Sequence, residues 1–156
     1  MYYTVPLHLS TSIVLPVLRG LSVFGCSFTL VAPSASELKT LLIVDDSPII
    51  IDRLRNMLEG ILLPEQVRHA GSYVEALSFL LVKVPDIILL DINLPDKSGI
   101  ELLKLVKSRY PEVIVIMITN QSDPSYRSVC AALGARRFLD KSTEFERIPD
   151  LIASLL

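Results

Sequence analysis

The sequence predicts an α/β domain with a single parallel sheet, because short apolar runs alternate with stretches of helical periodicity from residue 41 onward. Three of the runs carry almost no polar residue, and continuous apolarity fits strands that are buried on both faces of a parallel sheet. The five predicted strands are residues 41–44, 67–70, 86–91, 113–119 and 136–140. The resulting βαβαβαβαβα order, with short connections, predicts helices on both faces of that sheet.

Helix signals lie between the predicted strands. Pro48 suits the first turn of a helix, and apolar residues then recur at helical spacing at Ile49, Leu54, Met57 and Leu58. Three pairs have the S/T-x-x-E form of a capping box: Ser72 with Glu75, Ser98 with Glu101, and Thr143 with Glu146. A fourth start is indicated by Asp123 followed by Pro124. The expected helix stops are Gly60, Pro85, Pro111 and Gly134.

Composition excludes several classes of function. The chain of 156 residues is long enough for one domain with its own core, and it carries 17 acidic and 15 basic side chains. The sequence contains no basic stripe, so direct nucleic-acid binding is not expected. Cys26 and Cys130 lie far apart in sequence, which argues against a disulfide framework or a zinc site and indicates a reducing compartment.

Residues 1–36 form an apolar extension with one charged side chain, Arg19. Pro16 interrupts the extension, and neither half reaches the ~20 apolar residues that a membrane helix needs. We interpret it first as a poorly ordered extension, or as residues upstream of the natural start, preceding a domain at residues 37–156. A peripheral membrane or partner-binding segment ranks second, so membrane contact is not the expected role. A cleaved export signal ranks third.

Polar side chains collect where the predicted strands end. Asp45 and Asp46 follow the first strand, Asp91 ends the third, Thr119 ends the fourth, and Lys141 follows the fifth. The carboxyl ends of parallel strands meet at one edge of a sheet, where open α/β sheets bind their ligands. Three acids, a hydroxyl and a lysine are therefore expected to converge at this edge.

Two adjacent acids at a strand end admit two interpretations. Asp45 and Asp46 either point into water from a turn or hold a cation, because neighbouring like charges raise each other's pKa. Three carboxylates at one edge favour a hard divalent cation such as Mg²⁺. Asp91 could then attack phosphorus as a carboxylate nucleophile, with Lys141 neutralising charge and Thr119 donating to a phosphoryl oxygen. The sequence has no GxxxxGK[ST] or GxGxxG motif for a nucleotide.

Together these residues resemble the receiver domain of bacterial two-component response regulators. Four motifs carry the resemblance: VDDS at 44–47, LLDINLPDKSG at 89–99, MIT at 117–119 and FLDKS at 138–142. The resemblance covers roughly residues 38–156. It implies a flavodoxin-like fold with strand order 2-1-3-4-5.

The resemblance implies specific roles. Asp91 would accept phosphate from a histidine kinase or a histidine phosphotransfer protein. Asp46, Asp91 and the backbone carbonyl of Asn93 would bind Mg²⁺, with Asp45 acting partly through water. Lys141 would pair with the acids at rest and with phosphate afterwards.

A switch is implied as well. Thr119 would turn toward phosphate while the ring of Phe138 moves inward, and Pro95 and Gly99 would shape the loop after Asp91. Receivers of this family usually have Ala or Gly after the threonine, whereas this chain has Asn120. We predict that Asn120 restricts small phosphodonors or changes the rate of hydrolysis.

The chain most resembles receivers that precede a helix-turn-helix domain, and that domain is absent from the sequence. The leading hypothesis is a stand-alone cytoplasmic receiver that carries phosphate or binds an unknown protein target, and that could form a homodimer. It is not expected to be a turnover enzyme. A phosphorylation-independent adaptor is the alternative that Asn120 supports. An aspartyl-nucleophile phosphatase is the third, although such enzymes need a second acid where this chain has Asn93.

Overall fold

The computed structural model describes residues 38–120 and 123–156. Five strands form its parallel sheet: β1 Leu41–Val44, β2 Val67–Ala70, β3 Ile87–Leu90, β4 Ile114–Thr119 and β5 Arg137–Asp140. Five α-helices follow the strands in turn: α1 Pro48–Leu58, α2 Tyr73–Val82, α3 Gly99–Arg109, α4 Pro124–Ala132 and α5 Ile148–Ala153. Short 3₁₀ turns at Pro64–Gln66 and Phe145–Arg147 precede β2 and α5. The predicted element order is therefore confirmed.

The strand order is β2-β1-β3-β4-β5, with every pair parallel. This is the order that the receiver resemblance implied. The chain passes from β1 outward to β2 and then crosses back to β3, so the order reverses between β1 and β3. Ligands of open parallel sheets bind at such a reversal, beyond the carboxyl ends of the strands.

The sheet separates two apolar clusters, because successive side chains of a strand point to opposite faces. In β1, Leu42 and Val44 pack with the cluster that α2, α3 and α4 cover. Leu41 and Ile43 pack on the other face, against α1 and α5. All four are buried, which explains why this strand reads as a continuous apolar run. Helices on both faces were predicted and are found.

Helix α1 begins at Pro48 as predicted, but its apolar face differs from the expected one. Its buried residues are Ile51, Leu54 and Leu58. The prediction that Ile49 belongs to the buried face is wrong, since this side chain is 79% exposed. The buried residues are three or four positions apart, whereas Ile49 is only two positions before Ile51 and so lies on a different side of the helix.

The predicted caps are confirmed at some helices and wrong at one. The Ser72 hydroxyl accepts from the backbone N–H of Glu75, and the Asp123 carboxylate accepts from that of Ser125. The prediction at Thr143 is wrong, because a 3₁₀ turn begins at Phe145 and α5 only at Ile148.

The predicted helix stops have local causes. Gly60 and Gly134 have positive φ angles of 82° and 94°, the left-handed conformation in which glycine costs least. The predictions about residues 1–36 lie outside the described residues. In the described part of the chain, no helix combines the length and the apolarity needed to cross a bilayer.

Candidate metal centre and phosphoacceptor

Two adjacent strands bring the first acids together. Val44 of β1 pairs in register with Leu90 of β3, so Asp45 and Asp91 each follow the last residue of neighbouring strands. The backbone N–H of Asp91 donates to the carbonyl of Val44 at 2.9 Å, which continues the ladder to this point. Parallel pairing thus places side by side two acids that are distant in sequence.

Three carboxylates form a cluster at this edge. Asp45, Asp46 and Asp91 each offer an oxygen, and these oxygens lie within 4.8 Å of one another. Asp45 and Asp91 are buried, whereas Asp46 is exposed. The cluster is therefore open to solvent on one side, as an ion or a phosphodonor would require.

Lys141 completes the cluster from β5, two strands away from β3. Its Nζ lies 2.6 Å from Oδ2 of Asp45 and 2.8 Å from Oδ2 of Asp91. The lysine side chain is only 6% exposed. One ammonium group therefore bridges two buried carboxylates.

The two oxygens of Asp45 have different surroundings. Its Oδ1 accepts from the backbone N–H of Ser47 at 3.0 Å. Its Oδ2 is near enough to Lys141 for an ion pair, yet within the described residues it receives no hydrogen bond of acceptable angle. Burial raises the pKa of Asp45, and the nearby Lys141 ammonium only partly opposes that rise. A buried, incompletely satisfied carboxylate oxygen fits a metal-binding site.

The loop that carries Asp91 is tightly constrained. The Oδ1 atom of Asp91 accepts from the backbone N–H of Ile92 at 2.7 Å. The backbone N–H of Gly99 donates to the carbonyl of Ile92 at 2.8 Å. A Cβ atom added at Gly99 would lie 1.8 Å from the backbone oxygen of Asp91. Only glycine fits this close approach, which agrees with the loop-shaping role implied for Gly99.

Asn93 is the fourth predicted metal ligand, and it lies in this loop. It pairs with Ser98 across an isolated antiparallel bridge, and its side chain is exposed. The contribution that the resemblance implied for the backbone carbonyl of Asn93 stays a prediction. The resulting donor set consists of oxygen atoms alone, the chemistry that suits a hard divalent cation.

The predicted switch pair lies on the neighbouring strands. Thr119 ends β4 and is fully buried, and its carbonyl accepts from the backbone N–H of Lys141 at 2.9 Å. Phe138 pairs in register with Met117, two residues before Thr119. Because alternate residues share a face, Thr119 and Phe138 lie on the same side of the sheet.

Three contributors around the site were missed by the sequence reasoning. Asp96 accepts from the backbone N–H groups of Tyr73 and Val74, and so ties the loop after Asp91 to the start of α2. Arg127 and Glu144 connect α4 to the segment around Lys141. The contacts of Asp96 with α2 and of Arg127 with Glu144 join residues that are distant in sequence, so no local sequence pattern could have indicated them.

Comparison with known proteins identifies the family. Residues 41–153 match the family model for the response regulator receiver domain. The chain therefore belongs to the receiver domains of response regulators, a class that works in phosphorelay signalling and binds a divalent metal at an acidic pocket.

Relatives are larger than the matched region. The chain is 30% identical over 116 residues to the DNA-binding transcriptional activator EvgA of Escherichia coli K12, covering 73% of this chain and 54% of EvgA. It is 34% identical over 115 residues to the response regulator protein PilR of Pseudomonas aeruginosa, covering 74% of this chain and 25% of PilR. The chain thus spans about half the length of EvgA and a quarter of PilR.

Solved structures confirm the fold. The signal receiver domain of the DNA binding response regulator merR from Colwellia psychrerythraea has a TM-score of 0.69 and 26% identity, covering 75% of this chain and 97% of that domain. The receiver domain of NtrX from Brucella abortus has a TM-score of 0.64 and 26% identity, covering 74% of this chain and 95% of that domain. Both likenesses concern the receiver fold alone and not a second domain.

Proposed function

We propose that this receiver accepts a phosphoryl group on Asp91 and uses it to switch a binding surface in a cytoplasmic phosphorelay. The observation that carries the proposal is the bridging position of Lys141, whose ammonium lies within 2.8 Å of both Asp45 and Asp91. A cation held at that point is suited to meet the charge of an incoming phosphoryl group.

The proposed reaction is an in-line displacement. A carboxylate oxygen of Asp91 attacks the phosphorus of a phosphohistidine, and the bond between phosphorus and the imidazole nitrogen breaks. The imidazole keeps the electron pair, and the product on this chain is an acyl phosphate. Lys141 pairs with one phosphoryl oxygen, and the Thr119 hydroxyl donates to another. This step depends mainly on positioning and charge compensation.

We assign the metal to Mg²⁺, held by Asp46, Asp91 and the backbone carbonyl of Asn93, with Asp45 acting partly through water. When bound, the ion neutralises the carboxylates and the charge on the phosphoryl oxygens. The three carboxylates, whose oxygens lie within 4.8 Å of one another, support this assignment, because a single lysine ammonium does not neutralise three acids.

Switching follows from the same charges. The phosphoryl group adds negative charge and acceptor oxygens, so Thr119 and Lys141 move toward it. The ring of Phe138 then occupies the inward position that Thr119 leaves, and α4 and β5 repack. A coupling of about 1–3 kcal/mol is enough for such a switch.

The proposed phosphodonor is a histidine kinase or a histidine phosphotransfer protein. Ile49 supports a protein donor, because it is 79% exposed only three residues after Asp46. An exposed apolar side chain beside a reactive site suits contact with another protein.

Mass spectrometry tests the proposal. The full chain is incubated with acetyl phosphate and Mg²⁺, and we expect one added phosphoryl group, located on Asp91 by peptide mapping. An Asp91→Asn variant should remain unlabelled. A wild-type chain that stays unlabelled by both acetyl phosphate and phosphohistidine donors would indicate the adaptor. Sustained turnover of a small phosphoester would indicate a phosphatase.

A further inference from the structure

Arg127 of α4 holds Phe138 of β5 in two ways. Its NH1 group donates to the carbonyl of Phe138 at 2.8 Å, and its guanidinium carbon lies 4.8 Å from the centroid of the ring. Phe138 is only 7% exposed. The arginine thus covers the ring from the solvent side and fixes the backbone that carries it.

The same arginine reaches the segment before Lys141. Its NH2 group lies 3.4 Å from Oε2 of Glu144, and that oxygen also accepts from the backbone N–H of Asp140 at 3.2 Å. The backbone N–H of Glu144 donates in turn to the carbonyl of Asp140 at 2.8 Å. A continuous set of contacts therefore runs from α4 to the residue preceding Lys141.

Only an arginine can make these contacts together. Its planar guanidinium can stack on an aromatic ring while its N–H groups donate in the same plane, whereas a lysine ammonium is a point charge. The ion pair with Glu144 is about half exposed on the arginine side and contributes little by itself. The ring contact and the bond to the Phe138 carbonyl are therefore the important part.

We propose that Arg127 is a positioning residue that couples α4 to Phe138 and to the segment before Lys141, and that holds the ring in the position seen here, where Lys141 pairs with Asp45 and Asp91. The consequence for the active site rests on the proposed function, in which phosphorylation selects the inward ring. Coupling between two sites is reciprocal, so a residue that stabilises the arrangement without a phosphoryl group weakens binding of that group at Asp91.

The contact with the ring can be tested without phosphorylation. The chain has no tryptophan, so Phe138→Trp gives a single fluorescent reporter whose exposure is measured by acrylamide quenching of the full chain. Adding Arg127→Ala is expected to increase quenching, whereas Arg137→Ala is not. Arg137 is a matched control, because it is exposed, adjacent to Phe138, and bonded to the Arg136 carbonyl.

A second measurement leaves Phe138 intact. NMR of selectively labelled phenylalanine is expected to show faster or larger ring motion for Phe138 in Arg127→Ala than in wild type. Equal quenching and equal ring spectra in the two proteins would overturn the proposal, whatever happens at Asp91.

The coupling to the active site is tested by binding of beryllofluoride, a phosphoryl mimic, with Mg²⁺ in a calorimeter. Arg127→Ala is expected to strengthen binding about fivefold, the range of a single cation–π contact. Arg127→Lys should bind nearly as tightly as Arg127→Ala, and Arg137→Ala should match wild type. If wild type binds beryllofluoride and Arg127→Ala binds it with the same affinity, the coupling is refuted. If wild type neither binds beryllofluoride nor is labelled with a phosphoryl group, the proposed function is refuted instead. The acrylamide quenching experiment would still test the contact between Arg127 and the ring.

Discussion

The Nζ atom of Lys141 lies 2.6 Å from Oδ2 of Asp45, a carboxylate that is completely buried. The same ammonium also serves Asp91 at 2.8 Å, so one positive charge compensates two buried negative ones. With Asp46 nearby, the cluster has an excess of negative charge. Its stability should therefore depend strongly on the lysine and on added divalent cations.

Replacing Lys141 with Met should lower the free energy of unfolding by about 3 kcal/mol without metal, because it leaves two buried carboxylates uncompensated. Burial already raises the pKa of Asp45, and the variant loses the ammonium that lowers it. The loss should therefore be smaller at acid pH, where Asp45 is protonated, and larger as the pH rises. Urea unfolding with and without Mg²⁺ measures both effects. Lys104→Met, at an exposed position of α3, is the control, and a comparable loss there would contradict the prediction.

Gly99→Ala should disrupt the site from a position that carries no functional group. The new Cβ would lie 1.8 Å from the backbone oxygen of Asp91, so the loop carrying the proposed phosphoacceptor must move. We expect a loss of about 3 kcal/mol in unfolding free energy and strongly reduced labelling by acetyl phosphate.

Gly71→Ala is the matched control for that substitution. A Cβ there would meet its nearest atom, Oε2 of Glu75, at 3.7 Å, an ordinary contact. The unfolding free energy and the labelling by acetyl phosphate should both stay near their wild-type values in Gly71→Ala. Normal labelling of Gly99→Ala would show that the loop accommodates the methyl group.

The positions of the acids could be predicted because the carboxyl ends of parallel strands lie at the same edge of the sheet. Asp45 and Asp91 follow apolar runs, and right-handed crossovers leave little choice about where such residues meet. The burial of the three central strands β1, β3 and β4 could also be predicted from their continuous apolar sequence, since helices cover both faces of the sheet.

The contacts that hold the site could not be predicted in the same way. Arg127 and Phe138 are 11 residues apart and meet only because α4 packs beside β5. Asp96 caps a helix that begins 23 residues earlier in the chain. Ile49 was assigned to the core because spacing alone does not fix which face of a helix turns inward. These features depend on tertiary packing, which overrides local pattern.

The pKa of Asp96 is shifted in the opposite direction to that of Asp45. Burial by itself would raise its pKa, but the backbone N–H groups of Val74, Tyr73 and Lys97 lower it below 3.8. A depressed pKa contributes stability above pH 3.8 and loses it as the pH falls through the folded value. Asp96→Asn should therefore lower Tm at neutral pH, and the difference from wild type should shrink in acid. Thermal melts across this range are the measurement, with exposed Asp52→Asn as the control. A constant difference at all pH values would contradict the assignment.

Ile49→Ser should separate protein donors from small ones. Ile49 is 79% exposed at the start of α1, near the carboxylates, and a kinase or phosphotransfer protein would cover it. We expect slower transfer from a phosphohistidine-carrying phosphotransfer protein that labels wild type, and unchanged labelling by acetyl phosphate. Leu81→Ser is the control, because Leu81 is 81% exposed near the opposite end of the sheet. Equal slowing by the two substitutions would show that contact at Ile49 is not specific.

Asn120→Ala should change the chemistry while leaving the fold intact. Asn120 is exposed and directly follows Thr119, at the edge of the sheet that carries the proposed phosphoryl site. Removing the amide should speed labelling by acetyl phosphate and alter the decay of the acyl phosphate, because small donors and water reach Asp91 more freely. Labelling and decay are followed by intact mass, with Asn56→Ala on α1 as the control. Identical kinetics for Asn120→Ala and wild type would show that this side chain does not restrict access, and would remove the sequence support for a receiver that seldom uses Asp91.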